Sequence, residues 1–136
     1  MTISESRSVP STSSDVPAYD RMTTAIVTRD FAALGTTLSP DVRLRALVPP
    51  GPFELTGTAA VVAQFEHWFG GGRTFEVLGH STDVIGSRVH ARWTIRRTPD
   101  SPDAGPLVAE QHAYVNLGAT VEVIDLLCGG WQDARA

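Results

Sequence analysis

From Arg88 to Leu127 the chain alternates apolar and polar side chains with a period of two, the spacing of a half-buried strand. Val89, Ala91, Trp93 and Ile95 are apolar, while His90, Arg92, Thr94 and Arg96 between them are polar. The pattern resumes after a turn-rich break from Thr98 to Pro106. Ala109, Ala113, Val115 and Leu117 share a face with Gln111, and Glu110, His112, Tyr114 and Asn116 share the other. Ile124, Leu126 and Cys128 then fall on one side, with Val123, Asp125 and Leu127 opposite. These stretches predict two long strands and a closing third in a curved antiparallel sheet. One face of it is nearly dry, with Gln111 as its clearly polar side chain.

Upstream, the period changes to that of helices. Pro17 can open a helix without losing a needed donor, and Tyr19, Met22 and Ile26 follow on one face. Asp30 reads as the N-cap of a second helix, with Phe31, Leu34 and Leu38 as its stripe and Ser39-Pro40 closing it. Val42, Leu44, Ala46 and Val48 alternate as a strand until Pro49 to Pro52 forces a turn, and Phe53 to Leu55 forms a short return strand. Thr58 is expected to cap a third helix whose buried stripe is Val62, Phe65 and Phe69, stopped by Gly70-Gly71-Gly72. Arg73 to Asp83 predicts one more strand, led by Phe75 and Val77, with a bulge at Gly79 beside His80.

The length, 136 residues with 42% hydrophobic content, supports one domain with a real core. Residues 1–16 are Ser-rich without an apolar run and predict a disordered tail; 17–131 form the domain, and 132–136 are expected to fray. A formal net charge of −4 argues against nucleic acid and anionic membranes as partners. All 11 basic residues are Arg, which points to a GC-rich bacterial genome. The lone Cys128 excludes an internal disulfide, and no Cys/His cluster has metal-ligand spacing. With no signal-peptide core and no run of about 20 apolar residues, a cytoplasmic location is expected.

The order helix, helix, hairpin, helix and then long antiparallel strands gives an α+β cone: three N-terminal helices packed on a strongly curved sheet that encloses a pocket. This resembles the nuclear transport factor 2-like superfamily, in its SnoaL-like and ketosteroid-isomerase-like branch. The residues that carry the resemblance are Arg29-Asp30-Phe31, Ser39-Pro40-Asp41-Val42, Gly57-Thr58-Ala59-Ala60 and the end from Asp125 to Trp131. It spans Pro17 to Trp131.

Carried over residue by residue, the ketosteroid-isomerase-like pattern puts its general-base carboxylate on Ala46 and its oxyanion-hole tyrosine on Met22. Its partner acid falls on Gln111 and its supporting tyrosine on Phe65. Ala46 and Met22 cannot perform those roles, whereas the Gln111 amide can still donate to a developing oxyanion. The Arg and two carboxylates of an epoxide-hydrolase-like site have their nearest counterpart in Arg92, Asp125 and Glu110, which parity assigns to the polar face. The loop signature of the SnoaL-like cyclases is missing, because Asn116-Leu117-Gly118-Ala119 is only a short turn.

Read from the residues themselves, Gln111 is the central polar group and His80, re-aimed by the bulge, a candidate proton carrier with Asp83 near enough in sequence to orient it. His112 is expected at the surface or a subunit interface, and His67, Glu66 and His90 in solvent. The pocket is expected to be lined by Met22, Ile26, Leu44, Ala46, Phe65, Phe69, Phe75, Val89, Ala91, Trp93, Ala109, Ala113, Ile124 and Leu126. No phosphate loop or nucleophile elbow is present, and no metal or cofactor is expected. Two functions fit. One is a small-molecule enzyme, a cyclase or isomerase of an apolar polyketide-like metabolite in bacterial secondary metabolism, working mainly by templating. The other is non-catalytic binding of an apolar molecule, or a dimeric association module. A homodimer through the face of Tyr114, Val123 and Leu127 is expected. Replacing Gln111 by Leu is expected to leave the empty protein neutral or more stable.

Overall fold

The computed structural model describes residues 16–49 and 51–134; the predicted tail 1–16, apart from Val16, and residues 135 and 136 lie outside that range. Among the described residues, three helices and seven strands follow in the order α1 (Ala18–Val27), α2 (Phe31–Thr37), β1 (Leu38–Leu47), β2 (Phe53–Thr56), α3 (Thr58–Phe69), β3 (Thr74–Ile85), β4 (Arg88–Thr98), β5 (Leu107–Asn116), β6 (Val121–Cys128) and β7 (Gln132–Asp133).

The first helix buries Ala18, Met22, Thr23, Ala25 and Ile26, so Met22 and Ile26 of the expected stripe lie inside while Tyr19 is only half-buried. Arg29 takes a left-handed backbone (φ 56°) to turn the chain, and the Asp30 carboxylate accepts from Ala33 N at 3.0 Å, capping α2 as expected. Ser39-Pro40 does not close that helix. β1 already starts at Leu38 and carries Pro40 through an irregular stretch where its register against β6 shifts between Leu38 and Arg43, a place where a missing N–H costs little. Nor is Thr58 the cap of α3. Gly57 holds that position at φ 99°, and the Thr58 hydroxyl instead donates to Ser39 O at 3.0 Å, tying the helix to β1. The buried face of α3 is Val61, Phe65 and Phe69, with Val62 only partly covered.

The sheet runs β2-β1-β6-β5-β4-β3, with β7 beside β5. It is mixed, not purely antiparallel: β1 and β6 lie parallel, Arg43 opposite Val123 through Leu47 opposite Leu127. Gln132 and Asp133, expected to fray, pair with Val108 and Leu107. The bulge in β3 falls between Val77 and Gly79 and leaves Leu78 exposed. Alternation along β4 and β5 holds throughout: Val89, Ala91, Trp93, Ile95, Ala109, Gln111, Ala113 and Val115 are all buried under the helices.

The interior of the cone is filled. Phe65 meets Trp93 edge-on at 6.3 Å and Trp68 at 5.3 Å, and Phe69 contacts Phe75 and Trp131, each at 6.1 Å between centroids. Such aromatic pairs add about 0.5–1.5 kcal/mol beyond the area they bury.

Candidate functional site

Gln111 and Trp93 are direct neighbours in the β4–β5 register, and both point under the helices. The indole Nε1–H of Trp93 donates to Gln111 Oε1 at 2.9 Å. Because an indole can only donate, this bond fixes which end of the amide is oxygen and turns the donor end, Nε2, away from Trp93. No described residue accepts from that Nε2. Gln111 is only 1% exposed, yet it borders a pocket of about 460 Å³ at the mouth of the cone, together with Trp68, Arg97, Ala109, Cys128 and Trp131.

The same pocket is rimmed by His67 and Gln132, and no described residue lining it is Asp or Glu. His67 is exposed at the last turn of α3, as its helical position predicts, but it overlooks this opening. Arg97 continues the dry face of β4 two residues past Ile95. Its Nη1 donates to Trp68 O at 2.8 Å, and its guanidinium lies 4.6 Å from the centre of the Trp131 ring. Burial, with Arg29 nearby, holds its pKa below the usual arginine value against the pull of Asp100. The sequence reading missed Arg97 as a site residue, although parity through Trp93 and Ile95 was enough to find it. It also missed Trp68 and the opening beside His67, which depend on how the end of α3 meets the segment after β6.

Of the residues expected to line a cavity, Met22, Ile26, Leu44, Phe65, Phe69, Val89, Ala91, Trp93, Ala113 and Ile124 are fully buried against one another, and Phe75 is partly buried. Ala109 borders the mouth pocket. Ala46 and Leu126 edge a shallow groove of about 580 Å³ that also holds Arg45, Tyr114, Asp125 and Leu127. His80 lies opposite Trp93, and Asp83 opposite His90, on β3. Both are exposed. Three positions apart on a strand, they point to opposite faces, so Asp83 does not orient His80. The row His80, Trp93, Gln111, Cys128 crosses adjacent strands, which leaves Trp93 between the histidine and the amide.

The outward face carries a hydrogen-bonded chain. His112 Nε2 meets Glu110 at 2.7 Å, His112 Nδ1 meets His90 Nε2 at 2.8 Å, and His90 stacks on Tyr114 with ring centres 4.9 Å apart. The His112 bond holds the Glu110 carboxyl below its ordinary pKa. Asp125 is held low by its hydrogen bond to Arg45 at 2.7 Å and by Arg88 at 2.9 Å, against a smaller opposing effect of burial. Arg92 joins neither carboxylate; it donates to Thr94 Oγ1 at 3.2 Å. The epoxide-hydrolase-like trio is thus split among separate partners on the outer face.

The sequence profile of the SnoaL-like domain matches residues 19–126. No curated protein matches the chain in sequence. Among solved structures, a protein of Shewanella putrefaciens assigned as a SnoaL-like polyketide cyclase superposes with a TM-score of 0.63 at 12% identity, over 88% of this chain and 91% of the other. A Catenulispora acidiphila protein with the ketosteroid-isomerase-like fold, solved with trimethylamine, gives 0.63 at 13% identity over 80% and 82%. A phenazine biosynthesis-related protein of Pseudomonas aeruginosa gives 0.58 at 8% identity over 80% and 76%. At these identities the likeness is one of fold.

Proposed function

Because the chain belongs to the SnoaL-like domain family, we propose that it is a cyclase or isomerase of a polyketide-like metabolite of bacterial secondary metabolism, bound at the mouth of its cone. The observation that carries this reading is the Gln111 amide, whose oxygen is committed to Trp93 and whose N–H donors are free at the floor of the mouth pocket. A preorganised donor of this kind, aimed at a carbonyl, stabilises the oxyanion of an enolate by roughly 3 kcal/mol in a site shielded from water. Trp68 and Trp131 supply flat apolar walls against which a flexible substrate can be folded, and templating alone lowers such a barrier by several kcal/mol. His67 at the rim is the side chain in this pocket whose imidazole can both accept and donate a proton. His80 and Asp83 stand outside the proposal, since Trp93 separates their strand from the amide.

A second reading, binding without catalysis, draws on Ala46 and Met22, which are buried and apolar where the ketosteroid-isomerase-like pattern has a base and a tyrosine. The two are separated by incubating the protein with aromatic poly-β-keto esters and following isomeric or dehydrated products by chromatography. Turnover that falls about tenfold or more in Gln111→Leu supports the enzyme. Binding with no conversion of any ester supports the second reading.

The protein is also proposed to act as a homodimer in the cytoplasm. Support for the dimer comes from Leu47, Tyr114 and Leu127, which are 55%, 42% and 51% exposed on the outward face. No helix among the described residues is long and apolar enough to cross a membrane.

A further inference from the structure

We propose that the mouth pocket takes a ligand bearing a carboxylate, held by the guanidinium of Arg97 while the ligand's aromatic or apolar body lies against Trp131 and Trp68. The proposal rests on the reading of this pocket as a small-molecule site, and adds the charge of what enters it.

Arg97 has a structural task that accounts for only part of it. Nη1 satisfies the carbonyl of Trp68 in the last turn of α3, where cations are favoured. Its Nε is out of contact with water and has no hydrogen-bond partner among the described residues, and none of them accepts from Nη2, Nη1 alone being bonded. Nε and Nη2 form one edge of the guanidinium, the fork that matches a carboxylate with two parallel hydrogen bonds. Leaving a buried cationic N–H unpaired is costly, and natural proteins seldom keep such a group without a use.

No described residue forms an ion pair with Arg97. Asp100 attracts Arg97 at a distance but forms no ion pair with it, and Arg29 adds a second positive charge nearby. No described residue lining the pocket is Asp or Glu, in a chain whose net charge is −4. The amide of Gln111 completes the pattern, because its fixed orientation offers the pocket a donor. A floor and a wall that both donate select a ligand rich in acceptors. The face of Trp131 covered by the guanidinium further fixes where the charged end lies.

The test titrates the protein with 2-naphthoate and, separately, with methyl 2-naphthoate by calorimetry. The acid is expected to bind about tenfold more tightly than the ester, with the advantage shrinking as salt is raised. Arg97→Gln is expected to bring the acid-to-ester affinity ratio down from about ten to about one and to remove its salt dependence. If acid and ester bind alike, the anion proposal fails and the pocket reading stands. If neither binds at millimolar concentration, both fail. Should Arg97→Gln not fold, the acid-to-ester ratio of the unmodified protein and its salt dependence still decide.

Discussion

Gln111 shows how far a single position can be read. Strand parity put it on the dry face, where the structure finds it, but parity says nothing of which neighbour a long amide reaches. Trp93 lies directly opposite on the adjacent strand, whereas His80 is a strand further on. This reverses the stability expected of Gln111→Leu. The substitution strands a buried indole N–H, so it is expected to cost about 1–3 kcal/mol in urea unfolding. Trp93→Phe in the same protein removes the orphan, and the double variant is expected to recover part of the loss; simple additivity would contradict the pairing. At Asp125 the sign follows from its lowered pKa. Its ion pairs contribute stability above the ordinary aspartate pKa of about 4 and lose it as pH falls through the depressed folded value. The melting temperature of Asp125→Asn is therefore expected to fall less steeply on acidification than that of the unmodified protein.

Helices and strands were legible wherever a period could be counted, and their ends less so. The glycines after α3 were recognisable as a stop, but the sequence could not show why the stop needs them. The structure supplies the reason: Arg29 donates to Phe69 O at 3.3 Å and Gly71 O at 3.4 Å while Arg97 takes Trp68 O, so two cations close the helix end from different strands and turns. Gly72 passes under Arg97 at φ 85°, and a Cβ there would sit 2.9 Å from Arg97 Cγ. Gly71, at φ 76°, faces open space. Gly72→Ala is thus expected to destabilise by about 1–3 kcal/mol and Gly71→Ala by about 1 kcal/mol, measured by thermal unfolding. Equal losses would show that backbone strain alone matters there. Parallel pairing of β1 with β6 was not legible, because alternation reports which face a residue takes and is silent on which strand lies beside it.

For the molecule as a whole, the outward sheet face is the surface proposed above to pair two copies. Sedimentation is expected to show a dimer at micromolar concentration and a monomer for Leu127→Glu, which puts a charge in the middle of the apolar patch. A monomer in both would remove the interface.

The parallel pairing also dictates an order of events. Among the described strands β1 pairs with β2 and β6, so the hairpin that follows the first two helices has α3 against it but no second partner strand until one some eighty positions later, Val123 for Arg43, has been made. On a ribosome, the far edge of β1 therefore stays unpaired while the later strands are synthesised, and closing so long a loop must come before its contacts can reward it. β6 is the strand that joins the two halves, and nascent chains halted before it are expected to be cut readily by proteases along β1, with protection arriving in one step once Cys128 has left the tunnel.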